Sequence, residues 1–206
     1  KQDNIGICGG RQYAAEHFEN TDCDYMIFLE DDMLLNKGEQ KCKLGFPSTV
    51  DSLLERATAI MDKEQYDFLK FSFSEFYGTN SDQWSWYNVP QNIRNKFWPE
   101  NSNLPNRGSS DNAPKTVFNQ IKNVDGLAYI DGEVTYTNWP MIMSKEGNRK
   151  VFLDIRWEHP YEQTWMSHVF QKQKENYIKA GVLLASPIWH DRIKYYKPEE
   201  RRENAG

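Results

Sequence analysis

The sequence has few cysteines and no long apolar run. Its three cysteines, Cys8, Cys23 and Cys42, cannot all pair within one chain, and no CxxC or Cys/His spacing typical of zinc sites occurs. This usage favours a reducing compartment, so we expect a soluble, cytoplasmic protein. No apolar run approaches the roughly 20 residues that a membrane-spanning helix needs, and the first residues lack a signal-peptide pattern. We therefore predict no membrane span.

An excess of basic residues is also absent. Lys and Arg number 25 against 30 Asp and Glu, which gives a formal net charge of -5. Such a chain has no broad attraction to nucleic-acid phosphate, so a general nucleic-acid binder is disfavoured. The 206 residues suffice for one core, and we expect a single domain over 1–206 with a solvated tail at 197–206.

Aromatic residues, by contrast, are abundant. They make up 14% of the chain, more than a core of this size usually needs, which suggests aromatic-lined surfaces. Several lie in a stretch from about Thr79 to Pro114 that is rich in Asn, Ser, Pro, Gly and Trp. Long irregular stretches of this kind are usually functional or disordered.

Helical and strand patterns alternate along the chain. We predict helices over Gly9–Glu19, about Val50–Lys63 and about Tyr161–Ala180, the last ended by Gly181. The second helix has an apolar face that comprises Leu53, Leu54, Ala57, Ile60 and Met61.

Strand patterns lie between these helices. Tyr25–Leu29 is a continuous apolar run that suits a buried strand of a parallel sheet flanked by helices. From Phe68 onward, phenylalanine alternates with polar residues, as in a strand covered on one side. Shorter strand-like pieces occur near Thr116–Lys122 and Gly126–Tyr129. The whole pattern indicates an α/β fold.

Three consecutive carboxylates, Glu30, Asp31 and Asp32, directly follow the first predicted strand. Adjacent carboxylates repel one another, and a divalent cation with oxygen ligands allows them to coexist. Ligands of open α/β sheets gather at the carboxyl ends of strands. The alternative is a solvated acidic turn. The position at a strand end favours the metal site.

The segments GGRQYAAEHF and YMIFLEDDM together resemble GT-A glycosyltransferases of the family 2 type, in which an arginine-bearing helix precedes a hydrophobic strand that ends in a DxD motif. The resemblance implies a Rossmann-like mixed sheet flanked by helices, with Mn²⁺ or Mg²⁺ bound to a nucleoside-diphosphate sugar. It implies that Asp32 is a direct metal ligand and that Glu30 lies near the ribose or the metal's water shell. For Asp31 it implies a role intermediate between these two. Arg11 would steady the diphosphate or the acidic segment; the alternative is an ordinary surface arginine.

Two late segments also resemble this family. In WEHPYEQTWM, Glu162 aligns with the catalytic base and Glu158 is the second candidate, although acidic residues also favour first helical turns because of the helix dipole. In IWHDR, His190 resembles a late histidine that completes the metal site, which would favour Mn²⁺, although a lone histidine is more often structural. Arg192 would offset the charge of the departing diphosphate.

Candidate acceptor-binding residues lie between these sets. Trp84, Trp86 and Trp139 offer flat faces that suit sugar rings or bases, although several such residues simply cover a core. Asp131, with Glu133 nearby, would bind an acceptor hydroxyl or shape a turn.

These observations predict a metal-dependent glycosyltransferase that moves a sugar from a nucleoside-diphosphate sugar to a hydroxyl, with inversion; retention is the alternative. The acceptor is a glycan, a protein, a lipid or a modified base. GT-A domains begin with a β-α-β part that nothing before Gly9 supplies, so we expect it from a missing N-terminal segment or a second chain. The alternatives are a nucleotidyltransferase of related fold and a sugar-binding module without catalysis.

Overall fold

A six-stranded sheet with helices on both faces organises the protein. The computed structural model describes residues 6–30, 33–38, 46–72, 119–132, 134, 140–154, 168–169 and 172–190. In chain order the elements are α1 (Gly6–Glu19), β1 (Tyr25–Phe28), β2 (Met33–Leu35), α2 (Leu53–Glu64), β3 (Phe68–Lys70), β4 (Lys122–Val124), β5 (Leu127–Asp131), β6 (Met141–Ser144), α3 (Lys145–Asn148), a π-helical turn (Arg149–Leu153), β7 (Ala180–Leu183) and β8 (Ile188–His190).

The large sheet is mixed rather than parallel. Its strand order is β1-β6-β3-β7-β5-β4, and only β3 and β7 are parallel neighbours within it. The predicted α/β fold with a mixed, helix-flanked sheet is confirmed. The prediction that Tyr25–Leu29 forms a buried strand of a parallel sheet is wrong, because β1 pairs antiparallel with β6 alone among the described strands and its four residues stay half-buried.

Two apolar clusters cover the two faces of the sheet. Successive strand residues point to opposite faces. On one face Leu69 and Ile142 pack with α2 residues Ile60 and Met61. On the other face a second cluster forms against α1 and the π-helical turn; it includes Ala15, Phe68, Ile130, Met143, Val151 and Phe152. Helices therefore lie on both sides of the sheet.

The central strand β3 is covered on both faces, which corrects the prediction of a strand covered on one side. Phe68 and Leu69 are fully buried and Lys70 is 2% exposed. The alternation of phenylalanine with polar residues suggested a wet face, but β3 lies between β6 and β7 under both clusters. The presence of polar residues in this segment therefore does not by itself indicate a solvent-exposed face.

Two predicted helices differ from the observed ones. α2 begins at Leu53 after Ser52, whose φ of 47° is left-handed, and Leu54 is 51% exposed rather than part of the buried face. The predicted helix over Tyr161–Ala180 ends before Ala180. Residues 172–174 are helical, but Asn176 has a left-handed φ of 57°, which a helix does not allow. Gly181 lies inside β7, where an added Cβ would be 2.6 Å from Cε2 of Tyr66. Among the described helices, none has the length and apolar character to cross a bilayer.

Two glycines allow the packing of α3 to be tested. A Cβ on Gly147 would overlap the backbone carbonyl of Asp67, whereas a Cβ on Gly10 in α1 would meet no atom within 4 Å. We expect Gly147→Ala to lower the free energy of unfolding by about 1–3 kcal/mol, because the overlapping atoms belong to the backbone of Asp67, which cannot move aside as easily as a side chain. Gly10→Ala should raise it by about 0.5–1 kcal/mol through helix propensity. Urea denaturation measures both, and effects of the same sign would contradict this packing.

Candidate functional site

The structure describes some of the predicted site residues and not others. Arg11, Glu30 and Asp131 are described, and so is the backbone of His190 but not its side chain. The remaining predicted residues lie outside the described residues: Asp31, Asp32, Trp84, Trp86, Glu133, Trp139, Glu158, Glu162 and Arg192. Their roles stay predictions.

Arg11 and Glu30 form an ion pair at the carboxyl end of β1. Nη2 of Arg11 donates to Oε1 of Glu30 at 3.1 Å. The guanidinium carbon also lies 3.4 Å from the centroid of the Phe28 ring, which is a cation–π contact. Arg11 is only 5% exposed, so it is not an ordinary surface arginine. Whether Arg11 steadies the diphosphate or the acidic segment stays a prediction.

The helix itself places Arg11 in the interior. Arg11, Ala15 and Phe18 have the spacing of one helical face, and all three are buried. A guanidinium on such a face needs a partner, because an unpaired buried charge is strongly unfavourable. Glu30 supplies that partner from the residue pair that follows β1.

A second pairing brings the C-terminal part of the chain to the same place. β2 runs antiparallel to β8, with Met33 opposite His190 and Leu35 opposite Ile188. Opposed residues of antiparallel strands have Cα atoms roughly 4.5–5.5 Å apart. The backbone of His190 therefore lies opposite the residue that follows the acidic triplet in sequence.

Backbone hydrogen bonds fix both ends of this arrangement. The amide of Met33 donates to the carbonyl of Glu30 at 3.1 Å, which holds the two ends of the acidic segment together. The amide of Asn36 donates to the carbonyl of Pro187 at 2.7 Å and continues the pairing of β2 with β8. Residues far apart in sequence are thereby held at one sheet edge.

The described residues alone do not make a complete metal site. Within them, no group of three or more His, Cys, Asp or Glu side chains gathers. Glu30 already accepts from Arg11, so one of its oxygens is engaged. This engagement suits the predicted place of Glu30 near the ribose or the water shell better than direct coordination. The metal set of Asp32, Glu30 and His190 stays a prediction.

Asp131 lies in a separate polar cluster. Its Oδ2 accepts from the hydroxyl of Tyr66 at 2.6 Å and from Nζ of Lys122 at 2.7 Å. Lys122 also donates to Oε2 of Glu64 at 2.5 Å, and the hydroxyl of Tyr129 donates to Oε1 of Glu64 at 2.8 Å. We call these five residues the Asp131 cluster.

The charged and polar groups of the Asp131 cluster shift one another's pKa values. Burial raises the pKa of Asp131, but the hydrogen bonds from Lys122 and Tyr66 outweigh burial and lower it below its ordinary value. The pKa of Glu64 is lowered by the same balance between burial and bonds from Lys122 and Tyr129. Burial and the neighbouring carboxylates raise the pKa of both tyrosines. At neutral pH the carboxylates are therefore ionised and the tyrosines are neutral donors.

Sheet register separates the Asp131 cluster from the acidic segment. Asp131 pairs with Gly181, and the same row continues through Leu69 and Ile142 to Ile27. With strand spacings of about 4.8 Å, the four steps from β5 to β1 span about 19 Å. β5 also runs opposite to β1, so its carboxyl end points to the other sheet edge. The structure thus does not bring Asp131 to Glu30, and acceptor binding by Asp131 stays a prediction.

Sequence reasoning missed the partners of Asp131. Glu64 and Tyr66 lie at the end of α2 and just after it, and Lys122 begins β4. Each looks like an ordinary surface residue in its local sequence. Only the placement of β7 between β3 and β5 brings them together, and no local pattern encodes that order.

Two comparisons with known proteins find no match. No described protein family matches the chain, and no curated protein is similar to it.

A double-mutant cycle tests the ion pair between buried Arg11 and partly exposed Glu30. We expect Arg11→Met and Glu30→Gln to be coupled by about 1–3 kcal/mol in the free energy of unfolding, because each change leaves the other partner with unsatisfied polar atoms. The exposed pair Lys172 and Glu175, with Nζ and Oε2 2.7 Å apart, is the control. Its cycle should give about 0.5 kcal/mol or less. Equal coupling in the two cycles would show that burial adds nothing to the Arg11 pair.

The Asp131 cluster should make stability depend on pH. Because the folded-state pKa values of Asp131 and Glu64 lie below their ordinary values of 3.8 and 4.5, the stabilisation is complete above pH 4.5 and is lost as pH falls through the lowered values. Lys122→Met should destabilise the protein by on the order of 1 kcal/mol at pH 7 and by less near pH 3.

Unfolding by urea at several pH values measures this difference. Lys63→Met, a change at an exposed lysine of α2, is the matched control and should show no such dependence. A Lys122→Met penalty that stays constant from pH 7 to pH 3 would refute the coupling.

Proposed function

We propose that the chain is the metal-binding and acceptor-binding part of a glycosyltransferase that uses a nucleoside-diphosphate sugar. One observation carries the proposal: the register of β2 with β8 sets His190 opposite Met33, immediately after the acidic triplet. A late histidine beside strand-end carboxylates is a combination that a solvated acidic turn does not require. The mixed sheet with helices on both faces supports a GT-A arrangement.

In this proposal Asp32 and His190 bind Mn²⁺ or Mg²⁺, which neutralises charge on the departing nucleoside diphosphate. Glu30 remains paired with Arg11 and faces the ribose or the metal's water shell. The ion pair supports this division, since Oε1 of Glu30 accepts from a buried guanidinium. Arg11 thus acts as a positioning residue for the acidic segment.

The remaining roles follow from the sequence. Glu162, or Glu158 in its place, accepts the proton of the acceptor hydroxyl, which implies a single displacement with inversion. Arg192 offsets the charge of the leaving diphosphate. Trp84, Trp86 and Trp139 pack on the acceptor.

Sugar transfer or donor hydrolysis by single variants tests the metal site. The protein is incubated with a panel of nucleotide sugars in buffered Mn²⁺, and the released nucleoside diphosphate is measured. Asp32→Ala and His190→Ala should each lower turnover by about 100-fold or more, because each removes a direct ligand. Glu146→Gln changes an exposed carboxylate of α3 and should leave turnover unchanged.

The same panel separates the alternatives. Near wild-type turnover by both ligand variants would refute the metal assignment. Release of pyrophosphate from a nucleoside triphosphate would indicate a nucleotidyltransferase. A protein whose melting temperature does not respond to any nucleotide, with or without Mn²⁺, would be a binding module without this chemistry.

A further inference from the structure

We draw no further inference here: the strongest candidate, the apolar edge strand β1 together with the exposed side chains of Leu29, Leu34 and Leu35 in the segment that follows it, carries none, because nothing in the described part of the structure shows what covers it.

Discussion

The part-buried ion pair between Arg11 and Glu30 is the contact on which the position of the chain just after β1 depends. Arg11 is buried because it shares a helical face with Ala15, and that face packs against the sheet. Its charge then requires a nearby carboxylate, and its flat guanidinium lies over the Phe28 ring. The chain therefore leaves β1 at a position fixed by α1. The pairing of β2 with β8 constrains the next residues, so the acidic segment is held at both ends.

The mixed direction of the strands separates two polar sites that sequence reasoning had combined. In an all-parallel sheet, Glu30 and Asp131 would follow strands that end at one edge. Here β1, β3 and β7 point one way, whereas β5 and β6 point the other way. The carboxyl end of β5 therefore carries Asp131 to the opposite edge, where Tyr66 and Lys122 neutralise it. One α/β sheet thus provides two separate edges with different polar chemistry.

Local sequence patterns predict individual helices and strands, but they do not predict burial or side-chain partners that depend on which strands are neighbours in the sheet. The helix over Gly9–Glu19 was predicted close to α1, since its signals are periodicity and flanking glycines. The burial of Lys70 was not predictable, because it depends on β6 and β7, which come much later in the chain. The same reason explains the Asp131 cluster, whose members are brought together only by strand order. The role of His190 in the metal site is expected from the resemblance alone and stays a prediction; the structure places its backbone opposite Met33.

The ion pair also bears on how many charges a cation would have to balance. Three adjacent carboxylates carry more negative charge than one divalent ion brings, and Arg11 compensates part of it by pairing with Glu30. In the proposed metal site, the remaining charge of Asp31 and Asp32 would equal that of one divalent cation, and a neutral His190 would add a ligand without adding charge. A diphosphate would bring its own negative charge, which makes a further cationic group such as Arg192 necessary rather than redundant. If the proposed metal site forms, the pairing of Arg11 with Glu30 would bring the charge of the acidic triplet to the level that a single divalent ion balances.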